Sequence, residues 1–156
     1  MSRKAPKPRI AWEDRFQQPG ADDLLAPFHK QHSFLLTHAR EGLSTLGGVV
    51  ESIEWRGVPW RWSFVYRIED DGERPWAYLV PQPGKPILAL PLDASLASSS
   101  AVRRMSRGVR DTILFSTQVA GVCWPQWELS SRPQLEEVLS LAKRKHDTLL
   151  VPTPAH

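Results

Sequence analysis

The chain has 156 residues, 41% of them hydrophobic and 24% charged, which is the size and make-up of one globular domain able to bury a core without staples. No apolar run approaches the roughly 20 residues that span a bilayer, so no membrane partner is expected. The formal charge is +3 and Cys123 is the only cysteine; a disulfide within the chain is thereby excluded. Met1 to Arg9 lacks the apolar segment of a secretory signal, so a cytoplasmic location is expected. Arg3, Lys4, Lys7 and Arg9 supply four of the positive charges, which leaves the body near neutral.

Residues 1–20 read as a flexible basic arm, with Trp12 and Phe16 as anchors onto a single domain over residues 21–148. A tail follows at 149–156. From Asp22 an amphipathic helix is predicted, interrupted near Pro27, with Phe28, His32, Leu35, Ala39, Leu43 and Leu46 recurring at spacings of three and four. Gly47 and Gly48 end it. Four of the seven tryptophans, Trp55, Trp60, Trp62 and Trp76, then fall in a stretch that alternates like a sheet.

Val49 to Arg56 and Trp60 to Glu69 read as a hairpin joined around Gly57 and Pro59. In its second strand Trp60, Trp62, Phe64, Tyr66 and Ile68 share one face, while Arg61, Ser63, Val65, Arg67 and Glu69 share the other. The aromatic face is expected to be buried under Leu35, Leu43, Leu135 and Leu139. Asp70, Asp71 and Gly72 form the next turn, and Pro75 to Val80 with Lys85 to Leu90 form a second hairpin through Pro83 and Gly84.

The second half turns helical. Leu96 to Arg107 and Val109 to Val119 carry helical spacing broken near Gly108, and a strand is predicted over Val122 to Leu129. Ser131 and Gln134 have the spacing of a capping box, followed by a stripe of Leu135, Val138, Leu139 and Ala142. Segregated helices and strands predict an α+β fold: an antiparallel sheet of about five strands with helices packed on one face.

This order of residues (a helix, Glu54-Trp55, Gly57, Trp60 to Trp62, a charged turn, Tyr78-Leu79-Val80-Pro81, a Gly84 turn, a Trp-containing strand and a closing helix) resembles the uncharacterised bacterial family called domain of unknown function thirty-seven eighty-eight. More distantly it resembles YdhG-like and YjbR-like domains. The likeness runs over roughly Asp22 to His146 and rests on packing and turn residues, so it implies a fold and no catalytic residue. Some YdhG-like members are described as iron chaperones, which calls for an acidic surface. Here Glu51, Glu54, Glu69, Asp70, Asp71 and Glu73 are matched by Arg56, Arg61 and Arg67, which argues against iron delivery.

No motif supplies a catalytic residue, a metal site or a cofactor. His29 and His32 have the spacing of two metal ligands, but two ligands do not make a site, and His32 falls on the apolar stripe. Cys123 sits on a predicted buried strand as a small hydrophobe, and Ser98 to Ser100 lack a nucleophile-elbow pattern. The sequence therefore points to a noncatalytic binding module for a small planar or anionic ligand, or for a protein partner or second copy. Its expected site is a Trp/Arg-lined sheet: Trp55, Arg56, Trp60, Arg61, Trp62, Trp76, Tyr78, Trp124 and Trp127. One alternative is a hydrolase or transferase working with Glu54 or a histidine. The other is nucleic-acid binding through the basic arm and Arg103, Arg104, Arg107 and Arg110; nucleic acid is the less favoured partner, because no stacking platform or recognisable module accompanies those arginines.

Overall fold

The computed structural model describes residues 10–69 and 74–150. Arg3 to Arg9, the turn expected at Asp70 to Gly72, and Pro152 and Pro154 lie outside the described residues. In chain order the elements are α1 (Ala21–Leu25), α2 (Lys30–Ser44), β1 (Val49–Trp55), β2 (Trp62–Ile68), β3 (Ala77–Val80), β4 (Ile87–Ala89), β5 (Leu92–Asp93), α3 (Ala94–Ala97), α4 (Ser100–Arg103), α5 (Arg107–Leu114), β6 (Gln118–Val119), β7 (Val122–Cys123), β8 (Gln126–Glu128) and α6 (Arg132–Leu150). The fold is α+β. A five-stranded antiparallel sheet runs β1-β2-β3-β4-β8, and a small second sheet runs β5-β7-β6.

The period of two along each strand decides what faces the helices. Register pairs Glu51 with Tyr66, Ile53 with Phe64 and Trp55 with Trp62 across β1 and β2. It continues through Phe64 to Leu79, Leu79 to Leu88 and Leu88 to Trp127. Of these, Trp62, Phe64, Tyr66, Leu79, Leu88 and Trp127 form one buried layer, with Ile53 and Trp55 partly buried against it, beneath Leu35, Leu36, Ala39 and Leu43 of α2 and Leu135, Val138, Leu141 and Ala142 of α6. Truncating any of the buried leucines to alanine removes apolar contact and leaves a cavity, at a cost of about 2–5 kcal/mol. The helices approach closely at Gly42, where a Cβ would fall 2.8 Å from Leu139 Cδ1.

The meander, the break before α2 and the closing helix stand where the sequence places them. The α6 cap differs by one partner: Gln134 N–H donates to Ser131 Oγ at 3.3 Å, while the Gln134 side chain accepts from Ser130 N–H at 2.9 Å. Three expectations about strands and helices fail. Trp60 does not share the Trp62 face, because Arg61 adopts a φ of 55° and breaks the alternation before β2 starts. The helices expected over Leu96 to Arg107 and Val109 to Val119 are three shorter ones, α3 to α5, and Gly108 lies inside α5. The breaks fall instead around Ser98–Ser99 and Arg104–Ser106, where serines favour caps over helix interiors. The strand expected over Val122 to Leu129 splits at Pro125, which has no N–H for a ladder, so β7 joins the small sheet and β8 the large one.

The segment before α1 is attached to the sheet. Trp12 is buried and its indole N–H donates to the Trp60 carbonyl at 3.1 Å, while Trp62 donates to the Asp14 carbonyl at 2.7 Å. Phe16 is 86% exposed and anchors nothing.

Candidate functional site

The nine residues expected to form one Trp/Arg-lined site divide between the two faces of the large sheet. Trp62, Trp76 and Trp127 are buried in the main core, and Trp55 packs edge-on against Trp62 with ring centroids 5.7 Å apart. Arg61 turns to the N-terminal segment, its guanidinium 5.1 Å from the Trp12 ring centroid. Only Arg56, Trp60, Tyr78 and Trp124 come together on the outer face.

There Tyr78 lies between Trp60, at 5.0 Å, and Trp124, at 6.3 Å, with the Arg56 guanidinium 5.3 Å above its ring. Val65, Tyr78 and Ala89 are buried beneath this cover, so the aromatic cluster fills its own space as a second small core. Burial pushes the Tyr78 phenol up from its ordinary value, opposed by Arg56 and Arg67. Beside it Arg67 forms a two-pronged ion pair with Glu54, and Ser52 donates to Glu54 at 2.5 Å. These partners, Arg67 first, hold the Glu54 carboxyl below its ordinary value against the opposing effect of burial. A carboxylate so engaged is a structural anion and not a free base.

The larger recess lies elsewhere. A groove of about 470 Å³ opens between the short helices α3, α4 and α5 and the small sheet, within the range of small-molecule sites. Ala94, Ala97, Val102, Ile113 and Leu114 supply apolar walls, with Cys123 of β7 beside them; Arg103 and Arg110 stand at the polar side with Ser98 and Gln118. The local sequence explains the shape. Asp93 caps α3 by accepting from Leu96 N–H at 2.8 Å, and Trp127 fixes α5 to β8 by donating its indole N–H to the Val109 carbonyl at 3.3 Å.

Arg110 donates to the Arg103 carbonyl at 3.3 Å, and among the described residues neither arginine has a carboxylate within 4.0 Å. Sequence spacing puts Arg103, Arg107 and Arg110 on one helix face. The break between α4 and α5 instead turns Arg107 to Asp111, 3.5 Å away, and brings only Arg103 and Arg110 to the groove. A second recess of about 360 Å³ between α4 and α6 mixes Arg104 and Arg144 with Glu136 and Glu137. An ion of either sign entering it meets its own charge on the wall.

No protein-family model, curated protein or solved structure matches this chain.

Of the other histidines, His29 stands exposed at the N-cap position of α2 with no capping bond from its side chain, His32 packs edge-on against Phe28, and His38 stacks on Phe34 while bonding Glu136 at 2.7 Å. His146 is buried, with Nε2 2.6 Å from the Gly47 carbonyl. Among the described residues no group of three or more His, Cys, Asp or Glu side chains could hold a metal ion, and no helix is long and apolar enough to cross a membrane. The sequence contains the groove's arginines and its apolar positions, but the pairing of β5 with β7 that closes it joins two-residue strands about thirty positions apart, which no local pattern signals.

Proposed function

We propose that this protein is a noncatalytic binding module for a small anionic ligand with an apolar portion, held in the groove between α3, α4, α5 and the small sheet. The observation that carries this reading is the pair Arg103 and Arg110, without carboxylate partners among the described residues, set beside apolar walls. A guanidinium offers a planar fork of donors to a carboxylate or phosphate. The hydrocarbon part of the ligand would displace water from Val102, Ile113 and Leu114, which supplies the affinity while the arginines set orientation.

The groove lining contains no histidine and no carboxylate, so it lacks the side chains that most often serve as general acid or base. This favours binding over the hydrolase or transferase alternative. A reducing cytoplasmic setting, with Cys123 as a thiol at the groove wall, is part of the proposal. The family resemblance seen in the sequence is compatible with a binding module and assigns no role to any residue.

The test is a titration with octanoate and octyl phosphate, followed by tryptophan emission and thermal unfolding. Binding to the native state raises the melting temperature by mass action, and Arg103→Gln with Arg110→Gln weakens it by roughly 10- to 100-fold, the loss of charge-assisted hydrogen bonds. The reading fails if neither anion shifts the melting temperature, or if the double variant binds as tightly as the parent.

A further inference from the structure

The groove is bordered by a segment whose composition is unlike the rest of the chain. From Thr112 to Trp127 there are 16 consecutive residues without a charge. Within it Leu114, Phe115 and Val119 are 71%, 80% and 58% exposed, three large apolar side chains that the fold leaves in water. Val119 stands at a hairpin whose turn is made by Ala120 at φ 51° and Gly121 at φ 80°. Isolated exposed apolar residues are ordinary, but several on one projecting stretch mark a surface that meets something apolar.

The charge around this stretch is equally uneven. Residues 100–121 hold four arginines, Arg103, Arg104, Arg107 and Arg110, against the single acid Asp111. Residues 10–99 and 122–156 together hold 12 basic and 16 acidic residues, so outside the first nine residues the positive charge is concentrated in this segment. On α5 the spacing of Arg107, Arg110 and Leu114 puts two of these arginines on one face with the apolar tip, and Arg110 bonds the Arg103 carbonyl beside it, whereas Arg104 lines the recess with Glu136 and Glu137.

We propose that this face docks on an anionic lipid surface, with Leu114, Phe115 and Val119 entering the boundary between headgroups and acyl chains and Arg103, Arg107 and Arg110 meeting lipid phosphates. The sequence expectation of no membrane partner rests on the absence of a spanning segment. Lying on a bilayer requires only apolar area plus cationic attraction, and each alone gives marginal binding. A nucleic acid would use the arginines but offers the aliphatic Leu114 and Val119 nothing to enter, which is why lipid is preferred to a polyphosphate chain.

The experiment is co-sedimentation of the full chain with phosphatidylcholine vesicles and with mixed phosphatidylcholine and phosphatidylglycerol vesicles, over a series of salt concentrations. The parent protein is expected to pellet with the anionic vesicles alone and to be released as salt rises. Phe115→Glu with Val119→Glu weakens pelleting by roughly tenfold or more, and separately Arg107→Gln weakens it by roughly fivefold. All three side chains are outside the groove lining, so octanoate binding by these variants stays at the parent level and the two readings fail separately. The proposal is overturned if anionic vesicles do not pellet the protein, or if Phe115→Glu with Val119→Glu leaves pelleting unchanged. It is also overturned if those substitutions instead dissolve a dimer seen by sedimentation equilibrium, or abolish retention on an acidic peptide that competes with the vesicles.

Discussion

Arg40 on α2 holds Glu51 on β1 through two hydrogen bonds, of 3.1 and 2.7 Å, and Glu51 accepts a third from the Tyr66 hydroxyl at 2.7 Å. The Arg40 guanidinium also lies 4.6 Å from the Phe64 ring centroid, so one charged pair joins the helix layer to the β1–β2 edge of the sheet. Glu51→Ala leaves a guanidinium and a fully buried phenol without their acceptor and is expected to cost about 2–4 kcal/mol. Arg40→Met keeps apolar contact with Phe64 and costs less, about 1–2 kcal/mol. Urea unfolding of the two variants checks the order; equal losses would mean that the phenol adds nothing.

The pH dependence follows from two groups of opposite sign. Glu54, held down chiefly by Arg67, and Asp93, held down by Leu96 N–H and the Ser95 hydroxyl, both have folded values below their ordinary ones. Their contribution is complete above the ordinary carboxylate range and is lost as pH falls through the folded values. Tyr66, whose phenol burial pushes well above 10.0, and Tyr78, raised mainly by burial, act in the alkaline range. Their contribution is complete below pH 10 and is lost as pH rises through the folded values. Glu54→Gln is expected to flatten the acid limb and Tyr78→Phe the alkaline one. Unchanged slopes in thermal melts would refute the assignment.

Gly42 presents a narrower question, because helix propensity and packing oppose each other there. Gly42→Ala gains about 1 kcal/mol of propensity but pushes a methyl to 2.8 Å from the Leu139 Cδ1, the end of a flexible and half-buried side chain. The two nearly cancel, and the variant is expected within about 0.5 kcal/mol of the parent. Gly42→Ile adds atoms that Leu139 cannot clear and is expected to cost about 1–3 kcal/mol. Chemical denaturation of the pair measures both.

Cys123 gives the groove a built-in reporter. It is half-buried on the groove wall and is a free thiol, so alkylation by iodoacetamide is expected to proceed in the free protein and to slow at saturating octanoate. Protection should disappear in Arg103→Gln with Arg110→Gln, since the same ligand no longer stays in place. An alkylation rate indifferent to octanoate would place the ligand elsewhere.

The large sheet and its covering helices were legible in the sequence because their signals are local. Alternation at Trp62, Phe64 and Tyr66, turns at Gly48 and Gly84, and the Leu135 to Ala142 stripe each act within a few residues of chain. The Trp/Arg site was legible only in part. Alternation assigned Trp60 and Trp62 to one face, but the positive φ of Arg61 separates them, and nothing about arginine announces that conformation. Around the groove the difficulty was length. α3 and α4 have four residues each, too few for a helical period to register. The pairs Leu92 with Cys123 and Asp93 with Val122 depend on tertiary placement alone.

The split of one strand at Pro125 has a further consequence for how portable the groove is. Its walls hang between β5 and β7, and β7 continues through Trp124 and Pro125 directly into β8 at the edge of the large sheet. Helices of four residues do not persist alone in water, so residues 94–121 excised as a peptide would be coil and carry no groove. Grafting the groove into another protein would require β4, β5, β7, β8 and α6 as its frame.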